Sequence, residues 1–331
     1  MIDIRLGADD LTRVRFARSP LEELIHSIPV LAGTRGSALH RPWVSMTRPR
    51  VAGLDLGVLL ALTRGPRILP DFLAPEPDRL TGTLADELDA IEATAPEEVV
   101  RSLEEMRPDW PDGLLPAELR PLYERPAREL GRLTTAMRAY WAAAIEPVWP
   151  RLRALHDADL EHRAQQLTTG GLAAVFANLH PGAEFENGLL RIDKPQLTAV
   201  RDASGTGLVL VPCSFAWPKL LVLYNEPYQP TLTYSPRGIG TLWENTPQSE
   251  REPLGELLGR NRAALLAHLD LPTSTTQLAA YLGVSPAAVS QHMAVLRRAR
   301  LVTSRRTGRW VLHQRTPLAS ELLAASGPDG A

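Results

Sequence analysis

The sequence predicts an α+β protein in three parts: a mostly helical region over residues 1–178, a small antiparallel β-rich module over 179–245, and a C-terminal unit of three short helices and a basic hairpin over 254–323. Three observations carry this reading. Apolar residues recur at three- and four-residue spacing through the first half of the chain. Short runs rich in Val and Leu, separated by Gly, Pro, Asn and Asp, follow from Glu184. Helical spacing then returns at Leu254 and gives way to a last pair of strand-like runs.

In the first region a strand-like IDIRL precedes Asp9 or Asp10 as a helix N-cap. SPLEELIHSIPVL then sets Leu21, Leu24, Ile25 and Ile28 on one face, behind a capping Ser19 and with Pro20 at the first helical position. GLDLGVLLAL reads as a short helix. TLADELDAIEAT and APEEVVRSLEEM each place acids in the first turn, where the helix dipole favours them, and apolar residues three and four apart. A long helical region starts near Leu119, is interrupted at Pro126 and at residues 147–150, and reaches about Gln166. In the β-rich module EFENGLLRID carries an Asn-Gly turn between two short strands, and LTAVRDASGTGLVLVPCSF, KLLVLYN and PTLTYSPRG supply further strands. The glycines of GTG and PRGIG lack the Lys-Ser/Thr and the strand-to-helix setting of a phosphate loop, so they read as turns.

Composition narrows the function classes. With 44% hydrophobic and 22% charged residues in 331, the chain has apolar material for two or three ordinary domains. The acidic N-terminus, MIDIRLGADDLTRVRF, is unlike a signal peptide, and no run reaches the roughly 18 apolar residues of a membrane span, so a cytoplasmic protein without a membrane partner is expected. Cys213 is the single cysteine; it can form neither an intrachain disulfide nor a thiolate cluster, and in LVLVPCSF it reads as a small buried apolar residue. The net charge of −2 hides an asymmetry: from Gly259 onward nine arginines face three acids, a surplus of six, which leaves −8 for the remainder. A basic end on an acidic body is the pattern of a nucleic-acid-binding module joined to a sensing or assembly module.

In the C-terminal unit, Leu254, Leu257, Leu258, Leu265, Leu266 and Leu269 form the apolar stripe of one helix ending near Asp270. The capping run Thr273-Ser274-Thr275-Thr276 starts a second helix, TQLAAYLG, which buries Leu278, Ala279 and Leu282 and stops at Gly283 as a left-handed cap. Ser285 caps a third helix over 286–298, with Pro286 at its first position. At about 100° per residue, Val289, Met293 and Leu296 fall on the packed face, and Ala287, Gln291, Ala294 and Arg298 lie opposite with Ser290 beside them. Small residues at Ala287, Ala288 and Ala294 let the backbone approach base edges, while Ser290 and Gln291 bring donors and acceptors suited to a major groove. The plain alternative is an exposed face of good helix formers. His292, at the edge of the buried face, reads as a packed or phosphate-bonding histidine. The runs LVTSR and RWVLH around Arg306-Thr307-Gly308 form a hairpin over 301–313, with Trp310 and Leu312 on one face. Arg305, Arg306 and Arg309 stand at its exposed tip, where they reach phosphates or a narrow minor groove.

Two helices joined by a tight turn, a polar-faced third helix and a basic hairpin, in this order, read as a winged helix-turn-helix. The stretch TTQLAAYLGVSPAAVSQHMAVLRRARLVTSRRTGRWVLHQ resembles the winged-helix domain of ArsR/SmtB-type regulators in its L-A, V-S-x-x-x-V-S-x-H-L/M-x-x-L-R-x-A, L-V and R-x-G-R elements. The whole chain resembles a longer actinobacterial type in which a region of unassigned role precedes this domain. The resemblance implies that Thr276 and Gln277 open the helix that meets the DNA backbone. It further implies that Ser290 and Gln291, with Ala287, Ala288 and His292, enter the major groove from a helix started by Ser285 and ended by Arg297 and Arg298, flanked by the wing arginines. Two positions depart from the family. Arg300 stands where glycine is usual, and a non-glycine residue in a left-handed conformation costs roughly 1 kcal/mol. The Cys pairs and Asp/His pairs of metal-sensing members are missing, so no metal or cofactor is expected, His313 alone making no site.

These readings predict a non-enzymatic transcription regulator, a repressor acting as a homodimer on a palindromic operator, because one recognition helix reads only about three or four base pairs. A small-molecule effector is a further expectation, resting on Tyr140, Trp141, Trp149, Phe176 and Trp217, with Trp110 also outside the C-terminal unit; aromatics line pockets but also fill cores. The rival is an enzyme with an appended DNA-binding domain. It rests on His156, Asp157, Asp159, Glu161 and His162 in LHDADLEHRAQQ and on His180, Glu184 and Glu186, though charges at these spacings usually form a solvated helix face.

Overall fold

A computed structural model describes residues 1–34, 38–63, 69–75, 82–177, 179–194, 197–226, 228–243, 253–269, 272–307 and 310–325. The elements up to the long central helix are β1 (Ile2–Arg5), α1 (Ala8–Thr12), β2 (Val14–Phe16), α2 (Pro20–Leu31), α3 (Arg41–Val51), α4 (Gly57–Thr63), α5 (Leu84–Glu92), α6 (Pro96–Glu105), α7 (Arg120–Glu124), α8 (Pro126–Ala144) and α9 (Trp149–Ala177). Six strands follow: β3 (Ala183–Glu186), β4 (Leu189–Ile192), β5 (Ala199–Asp202), β6 (Leu208–Pro212), β7 (Leu221–Leu223) and β8 (Thr231–Tyr234). The chain closes with α10 (Pro253–Leu258), α11 (Arg260–His268), β9 (Thr273–Ser274), α12 (Thr275–Leu282), α13 (Pro286–Arg298), β10 (Val302–Thr307), β11 (Trp310–Arg315) and α14 (Pro317–Ala325). It is an α+β protein, as the patterning predicts.

Contacts divide the chain into two compact units. The first comprises Met1–Gly36, Met46–His156 and Gly182–Ser235; the second comprises Ser37–Ser45, Asp157–Pro181 and Pro236–Ala331.

The first unit holds two four-stranded sheets, in the orders β3-β4-β1-β5 and β2-β6-β8-β7. The β3–β4 hairpin turns at Asn187 and Gly188, with φ of 51° and 77°, the left-handed pair that a tight two-residue hairpin needs. The sheets are mixed, where the sequence suggested antiparallel pairing throughout. β1 runs parallel to β5, and β6 runs parallel to both β2 and β8. The cause is that β1 and β2, from residues 2–16, join strands at residues 199–212, so the intervening helices act as the long crossover that parallel pairing requires.

Helix α2 lies at the heart of this unit, with eleven of its twelve residues buried, Glu23 among them. A buried carboxylate must be paired, and Glu23 accepts hydrogen bonds from the Ser214 amide (2.6 Å), the Phe215 amide (3.1 Å) and His156 Nε2 (2.7 Å). Burial alone would raise its pKa; these donors, His156 foremost, hold it below the ordinary value. Ser19 caps α2 as expected, its Oγ accepting from the Glu22 amide at 3.0 Å. Asp10 corrects the expectation for the first helix. Gly7 is the N-cap, and the buried Asp10 carboxylate accepts from the Gly7 and Gly207 amides, each at 2.9 Å, tying the start of α1 to the loop before β6.

In the second unit the expected single helix over Leu254 to Leu269 is two helices, because Gly259 takes φ 82° and ψ 141° between α10 and α11. Leu257 consequently leaves the stripe and is 73% exposed, whereas Leu265, Leu266 and Leu269 are fully buried.

Glu87 gives a test of the first unit's packing. Burial pushes its carboxyl up to about 8, against an ordinary value of 4.5, while it accepts from the Leu21 amide at 2.8 Å. The group stays protonated in the fold but ionises in the unfolded chain, so its contribution is complete below about pH 4.5 and is lost as pH rises toward 8. Melting temperature should decline across that window in the wild type and decline less in Glu87→Gln; equal slopes would contradict this.

Candidate nucleic-acid interface

The candidate interface is assembled on α12, α13 and the β10–β11 hairpin. Ser274, within the expected capping run, is the N-cap of α12, so the helix starts at Thr275, one residue earlier than the sequence suggested. Its Oγ accepts from the Gln277 amide at 3.2 Å, and Gln277 Oε1 accepts from the Ser274 amide at 2.9 Å, a reciprocal capping box. The Gln277 side-chain oxygen is therefore committed to the cap, and Thr276 is half-buried beside it.

The turn from α12 to α13 is closed by two hydrogen bonds. Val284 donates to the Ala279 carbonyl at 3.0 Å and Gly283 to the Ala280 carbonyl at 3.2 Å, with Gly283 at φ 68°. Two neighbouring groups of the same unit brace it: Arg237 donates to the Gly283 carbonyl at 2.6 Å, and the Gly238 amide donates to the Ala280 carbonyl at 2.7 Å. The Arg237 amide is in turn held by Asp159 Oδ1 at 2.9 Å. No local pattern marks Arg237 for this work.

Helix α13 covers 286–298 as expected, with Ser285 Oγ accepting from the Ala288 amide at 3.2 Å. Its two faces separate as the spacing requires. Val289, Met293 and Leu296 are buried, and Ala287, Ser290, Gln291, Arg297 and Arg298 are exposed; Ala288 and His292 are half-buried, as is Ala294, which the spacing had put with the exposed row. Ser290 spends its proton on the Pro286 carbonyl at 2.9 Å, which leaves its oxygen to accept from outside. The helix ends in a second two-bond closure, Leu301 to Leu296 at 2.9 Å and Arg300 to Arg297 at 3.0 Å, over the buried Leu296 and Leu301. Arg300 adopts φ 57°, the left-handed conformation that its place in the glycine position implies.

The hairpin pairs Val302 with Arg315 through Thr307 with Trp310, and β9 joins its far edge. His313 locks it to α12: Nε2 lies 2.9 Å from Thr275 Oγ1 and Nδ1 lies 2.7 Å from Ser304 Oγ. Burial, then the charge of Arg297, lowers the His313 pKa. Arg305 and Arg306 are both exposed, but as neighbours on a strand they leave opposite faces, Arg305 with the Leu312 face and Arg306 with the His313 face. They sit on β10 itself. Arg309 lies outside the described residues, as does Asp270.

Tyr140, Trp141, Trp149 and Trp217 belong to the first unit and Phe176 to the second. Tyr140, Phe176 and Trp217 are buried, Tyr140 with its hydroxyl 2.8 Å from Ser27 Oγ, whereas Trp141 and Trp149 are half-buried and meet edge to face at 5.2 Å. In LHDADLEHRAQQ, His156 is engaged by Glu23 and the buried Asp159 by Arg237 and Arg163, while Asp157 and Glu161 are exposed. Among the described residues no three His, Cys, Asp or Glu side chains are grouped as metal ligands, and no helix is long and apolar enough to cross a membrane. Arg260 and Arg262, which the sequence offered only as charge, line a cleft with His292.

A helix-turn-helix whose second helix shows a polar outer face, followed by a two-stranded wing, defines a DNA-binding regulator domain. Comparison with known families agrees. Residues 260–304 match the family described as bacterial regulatory protein, arsR family, and residues 119–238 match a family of unknown function, DUF5937. The chain thus carries an ArsR-type winged helix-turn-helix behind a region of that second family. No curated protein and no solved structure matches the chain.

Two outcomes follow for this domain. Arg300→Gly should raise its stability by up to about 1 kcal/mol, read as a higher melting temperature, since the left-handed position is kept and its Cβ strain removed; a drop would place Arg300 in a role that outweighs that strain. His313, with its pKa lowered from 6.5, stays neutral in the fold, so its contribution is present above about pH 6.5 and is lost as pH falls through and below that value. A ring titration of His313 by NMR should show a midpoint below 6.5, and a midpoint above it would contradict the buried two-partner arrangement.

Proposed function

We propose that this protein is a transcriptional repressor that binds a palindromic operator as a homodimer, each copy laying α13 in the major groove and the β10–β11 wing against the flanking backbone or minor groove. The observation that carries the reading is the exposed row Ala287, Ser290, Gln291 and Arg298 on a helix whose opposite face is buried. Ala287 on that row keeps the helix backbone close to the groove floor, and Gln291 offers the bidentate amide that pairs with adenine N6 and N7. Ser290 serves as an acceptor, because its own proton is used. Arg297, Arg298, Arg305 and Arg306, with Arg309 of the wing, supply backbone attraction; Ser285, Thr276, Gln277, Ala288 and His292 shape the approach. Dimerisation doubles a readout that one helix limits to about three or four base pairs.

A selection of duplexes from a random pool tests this. The wild type should enrich an inverted repeat, Gln291→Ala should lose preference at one base pair of each half-site by about 1–3 kcal/mol, and Arg305→Ala with Arg306→Ala should weaken all sequences alike. Absence of any enriched repeat, or enrichment unaltered in Gln291→Ala, would overturn the reading.

A further inference from the structure

Between the start of α11 and α13 lies an open cleft of about 290 Å³, lined by Gly259, Arg260, Asn261, Arg262 and His292. Arg260 and Asn261 are exposed, and Arg262 and His292 half-buried. Among the described residues no ion pair engages Arg260 or Arg262, and the nearby acid on α10, Glu256, is exposed and pairs with neither. Among the described residues the cleft is thus lined by positive charge that no ion pair engages, with amide and imidazole groups around it.

Its place relative to α13 gives it a partner. At about 100° per residue His292 stands on one flank of the helix with Ala288 and Val295, and Arg297 stands on the other with Ser290. The cleft joins Arg260 and Arg262 to the His292 flank. A major groove is about 12 Å wide and is bounded on each side by a phosphate backbone. A helix seated in it brings each of its flanks toward one of the two backbones.

We propose that the Arg260–Arg262–His292 cleft binds a backbone phosphate of the duplex, on the strand that borders the groove at the His292 flank of α13. This rests on the DNA-binding reading above and deepens it. The two guanidiniums meet the phosphate charge, and Asn261, His292 and the open first amides of α11 offer it donors. Such a contact carries no base information, so it adds affinity without adding specificity.

The test uses the full chain and duplex binding measured over a range of salt, with a random-sequence duplex and a selected one. The pair Arg260→Ala and Arg262→Ala should weaken both duplexes by the same factor, roughly three- to tenfold at low salt, and make the plot of log affinity against log salt shallower by about 1. Arg260→Ala alone, at an exposed position that cannot unfold the domain, should move both quantities in the same direction, and Arg262→Lys should recover much of the affinity. Unchanged affinity and slope in Arg260→Ala and in the pair, or a loss confined to the selected duplex, would overturn the proposal. So would saturation of the cleft by inorganic phosphate with duplex affinity untouched by the substitutions. A wild type that binds no duplex at all removes the DNA reading and the cleft together, whereas wild-type binding with indifferent variants removes the cleft alone.

Discussion

The direction in which α13 leaves α12 is set at one residue, Gly283, and the interface depends on it. A left-handed residue there turns the chain sharply enough for Ser285 to cap the next helix two positions later. A side chain at φ 68° would be strained, and the hydrogen bonds from Val284 and Gly283 back to Ala279 and Ala280 need that geometry. The Arg237 guanidinium holds the Gly283 carbonyl from outside, with the buried Asp159 fixing the Arg237 amide. The angle between the two helices is therefore fixed by covalent geometry and by the hydrogen bonds from Val284, Gly283, Arg237 and Gly238, none of which draws on the residues that face outward.

That separation lets the outer surface be written for another purpose. The buried set Val289, Met293 and Leu296 anchors α13, and the closure at its end passes through Leu301 directly into the wing. The wing is in turn tied to α12 by His313 between Thr275 and Ser304. Helix and hairpin are thus tied to one another through α12, which holds the strands of the wing in place beside α13. The concentration of positive charge in this segment, on a chain of net charge −2, then acts as local attraction rather than as a general property of the protein.

The C-terminal domain was highly legible in the sequence. Caps and turns there are local chemistry: Ser285-Pro286 announces a helix start and Gly283 a helix end within a few residues, and α13 spans the range its pattern predicts. The pairing of β1 with β5 and of β2 with β6 was not legible, because it joins residues 2–16 to residues 199–212 and nothing in a short run records a distant partner. The break at Gly259 escaped the leucine spacing for a related reason: the stripe continues on both sides, and only the backbone angle shows that Leu257 has turned outward. In the site, the outward row of α13 followed from period alone. The capping duty of Gln277, the spent proton of Ser290 and the bracing by Arg237 each require knowing which atoms meet in space, and the divergence of Arg305 from Arg306 appears only once both are placed on a strand.

In the proposed complex the outer face of α13 lies against bases. Cys213, the single cysteine, is buried, so a photo-crosslinker attached to the variant Gln291→Cys reports from that position alone. With duplex bound, crosslinks from position 291 should form at bases of one half-site through their major-groove edges, and far exceed those from an equivalent probe at the exposed Leu257 of α10. Crosslinking from position 291 no stronger than from position 257, in a protein that still binds the duplex, would contradict the account.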